Sequence, residues 1–500
     1  VRRGARPASS RPRARAGALV ALALAAGGRA SRDASAQPEP AWTYEATVAE
    51  DLSRISVRLC FEGFRPKRLI LASGGDLGHV RPAAGEPRAS GFDPGTRSWA
   101  VDADADDVCV AYEAALVEPT RGTGRGGRAS GAVVTEAGSW LLRPAEIPVR
   151  LRARVRFRLP AGASVSTPWE RDPTDPGTSF ALDATTWAFI GHVAIGRLSQ
   201  DAFQASGAEV RVATLPGDPR SGREGVRAWL SAAVGAVADV FGGRYPRDRV
   251  QAIVRPVDGG GDRDPVPFGS SWQGGGPALV LLLAKDASPE SLVGEWVAVH
   301  ELVHLSMPVV APEDAWLSEG FATYYQEVLR ARAGLQTARQ AWQAIEDGFG
   351  RGRRSGGERT LEEESRRMRE THEFLRVYWA GAALALLLDV DLRRHSGGRV
   401  SLDDAMRRLA QDLGSPRPLS GADVVSRIDA WAGRPVLSSL ATPALASRDF
   451  PSVEAAYAWL GVRVEDGRVS LDDAAPGAAQ RRAVESRRGR GAGPPPSRSQ

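Results

Sequence analysis

The sequence predicts a multidomain chain in which an N-terminal all-β sandwich precedes a larger unit that is α+β at first and helical further on. Three observations carry this. Polar and apolar residues alternate at period two as far as about residue 160, a strand–helix–strand grammar starts at Glu209, and helical spacing dominates from Pro312 to about Leu413. A chain of 500 residues is too long for one simple core, and 42% hydrophobic with 25% charged residues is an ordinary globular composition.

In chain order, Arg-rich residues 2–15 lead into the short apolar run Ala16–Ala26, and Ala34-Ser35-Ala36 follows. This is the pattern of a secretory signal peptide over residues 1–36, with an uncleaved anchor as the other reading. The run is too short to span a bilayer comfortably and no second run of about 18 apolar residues follows. The expectation is an exported protein, periplasmic or extracellular, with no stable membrane span after cleavage. Eight Arg against one Asp in residues 1–36, and six Arg against one Glu in 476–500, leave residues 37–475 at −7 of the total +5. An acidic body argues against nucleic acid as a partner.

Residues 41–165 form the expected antiparallel sandwich, with segments such as Ile55-Ser56-Val57-Arg58-Leu59-Cys60-Phe61 between Gly/Pro/Asp turns. Cys60 and Cys109, the chain's two cysteines, both lie in such strands. An oxidising compartment favours a disulfide between them, with two buried thiols as the alternative. Around Val149–Leu159, Arg150, Arg152, Arg154, Arg156 and Arg158 share one strand face. That stripe reads as a solvated sheet face or as a surface for an anionic polymer, and no aromatic residues interleave to stack bases. Residues 160–205 read as a bridge, with His192 as a packing or surface histidine.

The second unit, 206–414, opens with strands at Glu209–Ala213, Arg249–Val254 and Ala278–Leu283, a helix near Glu224–Val240, and one helix running from Pro289 through His304. Gly259–Gly261 and Gly274–Gly276 lack the Lys-Ser/Thr or strand-to-helix context of a phosphate loop and read as turns or close-approach backbone. Residues 415–475 are a small C-terminal extension with one hairpin, and the Arg/Pro/Gly-rich tail 476–500 is expected to be disordered.

The chemistry concentrates in Val299-His300-Glu301-Leu302-Val303-His304 and in Trp316-Leu317-Ser318-Glu319-Gly320-Phe321-Ala322. On a helix His300 and His304 stand one turn apart on one face, so both imidazoles reach one ion while Glu301 is placed to take a proton. Glu319 offers a third ligand from a separate element, leaving a tetrahedral position for water. These residues imply Zn2+ and hydrolysis. The reading from another class is a non-catalytic envelope binding protein with a structural or vestigial zinc lobe, which would have no use for Glu301.

Residues 299–325 resemble the gluzincin metallopeptidases of the aminopeptidase N-like (M1) and glycyl-aminopeptidase-like (M61) groups, and Val377-Tyr378-Trp379-Ala380-Gly381 extends the likeness. The resemblance implies a thermolysin-like catalytic domain, a peptide or protein substrate, and Tyr378 as oxyanion donor; a core aromatic is the plain alternative for Tyr378. Fourteen residues separate His304 from Glu319, fewer than in those groups. Where the aminopeptidase N-like enzymes carry Gly-x-Met-Glu-Asn, this chain reads Ser270-Ser271-Trp272-Gln273-Gly274. Gln273 lacks the amine-binding charge, so the resemblance carries no aminopeptidase specificity, while Gln273, Gly274, Gly275 and Gly276 remain the candidate substrate-binding positions.

Overall fold

A computed structural model describes residues 41–71, 80–83, 92–93, 98–101, 109–116, 127–129, 131–175, 177–183, 191–415 and 417–486. The expected leader 1–36 and tail residues 487–500 lie outside them. Strand β1 (Ala41–Val48) buries Trp42, Tyr44, Ala46 and Val48 and exposes or half-buries the residues between. β2 (Arg54–Glu62) does the same with Ile55, Val57, Leu59 and Phe61 and pairs antiparallel with β1. This is the burial that a two-residue side-chain period imposes. β3 (Cys109–Ala115) lies antiparallel to β2, which sets Cys109 opposite Cys60, and the two sulphurs are bonded.

The expectation of a purely antiparallel arrangement needs one correction. β4 (Arg152–Arg158) pairs with β1 in parallel, because the chain crosses over through intervening strands before returning beside β1. Its Arg152, Arg154, Arg156 and Arg158 are exposed and Ala153, Val155 and Phe157 are buried. Arg154, Arg156 and Arg158 form ion pairs with Asp172, Asp175 and Glu45. Residues 160–205 also do more than bridge. Strands Ser164–Ser166, Ser179–Leu182 and His192–Gly196 supply Val165, Phe180, Leu182, Val193 and Ile195 to the same core as Trp42 and Trp140.

The second region is built on β5 (Ser199–Ala205), β6 (Ala208–Thr214), β7 (Arg249–Val257), β8 (Phe268–Trp272) and β9 (Ala278–Ala284), in the order β5-β6-β7-β9-β8. The inner three are parallel, and β5 and β8 are antiparallel edges. α1 (Gly222–Ala238) makes the crossover from β6 to β7. One face of the sheet packs Leu215, Ile253 and Val280 on Ala132, Val134 and Ala194 of the strand-rich region, and the other face carries helices. Coverage of both faces explains why β9 reads as an unbroken apolar run.

The chain then becomes helical: α2 (Pro289–Val293), α3 (Val297–Leu305), α4 (Ala315–Arg332), α5 (Ala338–Arg354), α6 (Leu361–Thr371), α7 (Phe374–Ser396), α8 (Leu402–Leu409), α9 (Gly421–Ala432), α10 (Ser438–Ala446) and α11 (Glu454–Leu460). The single helix expected from Pro289 through His304 is two. It breaks at 294–296, where the Glu295 carboxylate accepts from the Val297 and Ala298 N–H groups and so starts α3 afresh. A hairpin, β10 (Val462–Glu465) and β11 (Arg468–Leu471), precedes α12 (Ala478–Glu485).

α12 corrects the expectation of disorder from residue 476. Buried Arg481 donates to the Leu460 and Asp472 carbonyls, and Arg332 of α4 donates to Val484 O at 2.7 Å. Tertiary docking stabilises a helix that its Arg-rich composition alone would not announce. Among the described residues no helix is long and apolar enough to cross a membrane.

Candidate metal centre

α3 is buried along nearly its whole length, and α4 packs beside it, so that Glu319 comes to face His300 and His304. His300 Nε2 and Glu319 Oε2 are 3.3 Å apart, His304 Nε2 and Glu319 Oε2 3.2 Å, and the two Nε2 atoms 3.2 Å. Four ligands around zinc at about 2.0–2.1 Å stand about 3.3 Å from one another at tetrahedral angles. The three atoms therefore already mark one face of such a tetrahedron. Among the described residues this is the grouping of His, Cys, Asp or Glu that could hold a metal ion.

The electrostatics agree with the geometry. Burial opposes the charge of Glu319, yet His304 and His300 outweigh it and hold the carboxyl well below the usual carboxylate range. His300 Nδ1 lies 2.8 Å from Gln326 Oε1, which can only accept. The hydrogen of His300 is thereby fixed on Nδ1, leaving the Nε2 lone pair for a cation. Gln326 is oriented in turn by donating to Glu327 Oε1 at 3.0 Å, and Glu327 is held by Arg330. Gln326 is absent from the motif, but it stands seven residues after Glu319, two turns along the same helix face.

Glu301 is buried on the strand side of α3. A Cβ added at Gly269 of β8 would lie 3.0 Å from Glu301 Cγ and 2.3 Å from Val297 Cγ1. Glycine at that position is what lets the edge strand close on the helix.

Tyr378 reaches the centre from α7, its ring 6.1 Å from that of His300 and inclined by only 18°. Two glycines set this placement. A Cβ at Gly320 would sit 2.3 Å from the Gly381 carbonyl carbon, and one at Gly381 would sit 1.9 Å from Trp316 O, so α4 and α7 touch backbone to backbone. Trp296 packs edge-on to His300 at 5.8 Å and Phe374 edge-on to Tyr378 at 6.3 Å. Trp296 and Phe374 are 45% and 38% exposed, which puts aromatic surface at the edge of the centre.

The candidate substrate residues fall differently. The Gln273 side chain donates to His304 O and Met307 O, each at 2.7 Å, and accepts from Arg247 at 2.6 Å. With its amide so occupied, Gln273 clamps the end of α3, and together with Gly274, Gly275 and Gly276 it lines a cavity at the end of β8. Gly275 and Gly276 have φ of 76° and 121°, and a Cβ at Gly276 would meet Pro168 O at 2.4 Å. The triplet brings the sheet's backbone against the strand-rich region, and it lines a cavity of about 580 Å³.

Residues 308–380 match the M61 glycyl aminopeptidase family, a stretch that contains Glu319, Gln326 and Tyr378. Over that segment the chain is similar to the M61 peptidases, and the solved structures that follow share its fold. An aminopeptidase N family protein from Idiomarina loihiensis superposes with a TM-score of 0.66 at 16% identity, over 85% of this chain and 79% of that one. The M1 zinc metallopeptidase of Deinococcus radiodurans gives 0.55 at 16% identity, over 82% and 94%. A mutant of that protein bound to a Tyr-Ser-Ala substrate gives 0.53 at 16% identity, over 83% and 97%. No curated protein matches the chain. In this chain the donor set and its spacing fit zinc, and the strand-rich region followed by a helical one is the arrangement of these aminopeptidase-like structures.

Proposed function

We propose that the chain is an exported zinc peptidase with a thermolysin-like catalytic domain, in which Glu301 is the general base. The single observation that carries the reading is the triangle of His300, His304 and Glu319 ligand atoms at 3.2–3.3 Å. Zinc held there would supply a Lewis acid that acidifies water and polarises the scissile carbonyl. Glu301 takes the proton of the attacking water and later returns it to the leaving amine as the C–N bond breaks. Tyr378 donates its phenolic hydrogen to the oxyanion that forms in between. Among the described residues β8 pairs only with β9, so its other edge offers backbone donors and acceptors to an extended peptide beside Glu301.

Gln273 grips the helix end and brings no charge for a free amine, which supports cleavage that does not depend on a substrate N-terminus. Export is supported by the leader pattern at 1–36 and by the Cys60–Cys109 disulfide, a bond that persists in oxidising compartments. The test is mass spectrometry of products from matched peptides with free and acetylated N termini, run on protein whose zinc content has been measured. Equal cleavage of both by protein holding close to one zinc is expected; zinc-loaded protein that cleaves neither would sink the reading.

A further inference from the structure

The cavity of about 580 Å³ lies beyond the end of β8, lined by residues of both regions and by none of the metal-centre side chains. Its size is that of a small-molecule or side-chain site. Three guanidiniums line it, Arg152, Arg247 and Arg249, against the carboxylates of Glu170 and Asp183. Arg247 is committed, donating to Leu305 O at 2.9 Å and to Gln273. Arg152 is the member of the β4 arginine stripe that makes no ion pair among the described residues, and it lines this space. Two buried donors of the lining, Arg249 Nε and Trp169 Nε1, have no hydrogen-bond partner among the described residues. An orphaned buried donor is costly unless something accepts from it. Burial, and then the neighbouring Arg211, makes the charge of Arg249 less favourable, while Glu170, Glu209 and Asp248 offset part of this.

Position links the cavity to the chemistry. β8 runs along α3 in the same direction, with Gly269 against Val297 and Glu301, and with Gln273 just beyond the strand on the carbonyls of His304 and Met307. Four residues therefore lead from the general base to the cavity wall, about 13 Å at the rise of an extended chain. A peptide lying on the free edge of β8 keeps the same pace. We propose that the cavity binds a carboxylate carried by the peptide substrate about four residues from the scissile bond, with Arg152 and Arg249 as its cations. This rests on the peptidase reading and names the substrate class for that site. The carboxylate has two sources, a C-terminus or an Asp or Glu side chain.

The test is retention of an acetylated random heptapeptide library on immobilised, zinc-loaded protein carrying Glu301→Gln, read by mass spectrometry. One arm uses free C-termini and the other C-terminal amides. Retention of free acids at least fivefold over amides assigns the site to a C-terminus; enrichment of Asp or Glu at one position in both arms assigns it to a side chain. Arg249→Gln and Arg152→Gln should each abolish the discrimination, the latter being an exposed strand position where the fold tolerates the change. Equal retention of all peptides, no retention at all, or discrimination that survives both variants overturns the proposal. Selective retention together with a parent protein that cleaves nothing would leave the site standing and remove the peptidase reading.

Discussion

Helix α4 carries two polar clusters that look alike in composition and differ in balance. Toward α7, α8 and α12, Tyr324 donates to Asp389 at 2.9 Å and Tyr325 to Asp403 at 2.9 Å. Arg393 and Arg332 complete those carboxylates at 3.0 and 2.9 Å. Each anion there meets a cation, and the side chains of Arg332 and Asp403 are 1% exposed. Toward α3, Glu319 stands 3.2–3.3 Å from the Nε2 atoms of two imidazoles, and no guanidinium or ammonium pairs with it among the described residues. A buried cluster that balances its own charge is architecture; one that is short of a cation is a receptor for one.

The sharpest test of that contrast is Glu301→Gln. Peptide turnover is expected to fall about 10²–10⁴-fold, the usual contribution of a positioned base, with zinc content by elemental analysis and the melting temperature unchanged. Turnover within threefold of the parent would make the metal cluster architecture too. On the balanced side, Arg332→Met strands Asp403 and frees the Val484 carbonyl, so about 3–5 kcal/mol of stability should go, measured by denaturant titration. Amide exchange should rise first at 478–485.

Glu295 is a further buried carboxylate, outside both clusters, and it separates burial from charge balance. Burial lifts its pKa from 4.5 to about 7 against the pull of the Val297 and Ala298 N–H groups. The unfolded chain releases this proton near 4.5 and the fold keeps it to about 7. Its contribution to stability is therefore full below pH 4.5 and is lost as pH rises to 7, about 3 kcal/mol in all. Melting curves across that range should differ from those of Glu295→Gln by this slope, and parallel curves would mean the carboxylate is ionised throughout. The smallest effect expected is for Gln326→Ala, which releases the His300 tautomer and should weaken zinc binding about 10–100-fold in a competition titration while leaving the metal-free melting temperature in place.

That His300 and His304 share one face was legible because a helix repeat converts sequence spacing directly into a shared face. Alternation made β1, β2 and β4 legible for the same reason. What escaped depends on contacts that no local period encodes. That Gln273 clamps α3 was not legible, because the carbonyls it binds arrive from 31 and 34 positions away. Gln326 needed the register of α4 against α3. The strands within 160–196 were hidden by turn-forming residues, and α12 by a composition that only Arg481 and Arg332, once docked, turn into a helix.

The backbone contact of α4 with α7 at Gly320 and Gly381 bears on how the cleft could open. With no side chain between them, the two helices have no cushion to compress and no rotamer to exchange, so Glu319 and Tyr378 move as parts of one rigid wall. The facing wall is held in the same way: β8 lies on α3 at Gly269, and Gln273 just beyond it is bonded to the carbonyls of His304 and Met307. Both walls of the cleft thus meet their neighbours through glycine, and a side chain added at Gly269, Gly320 or Gly381 would push them apart.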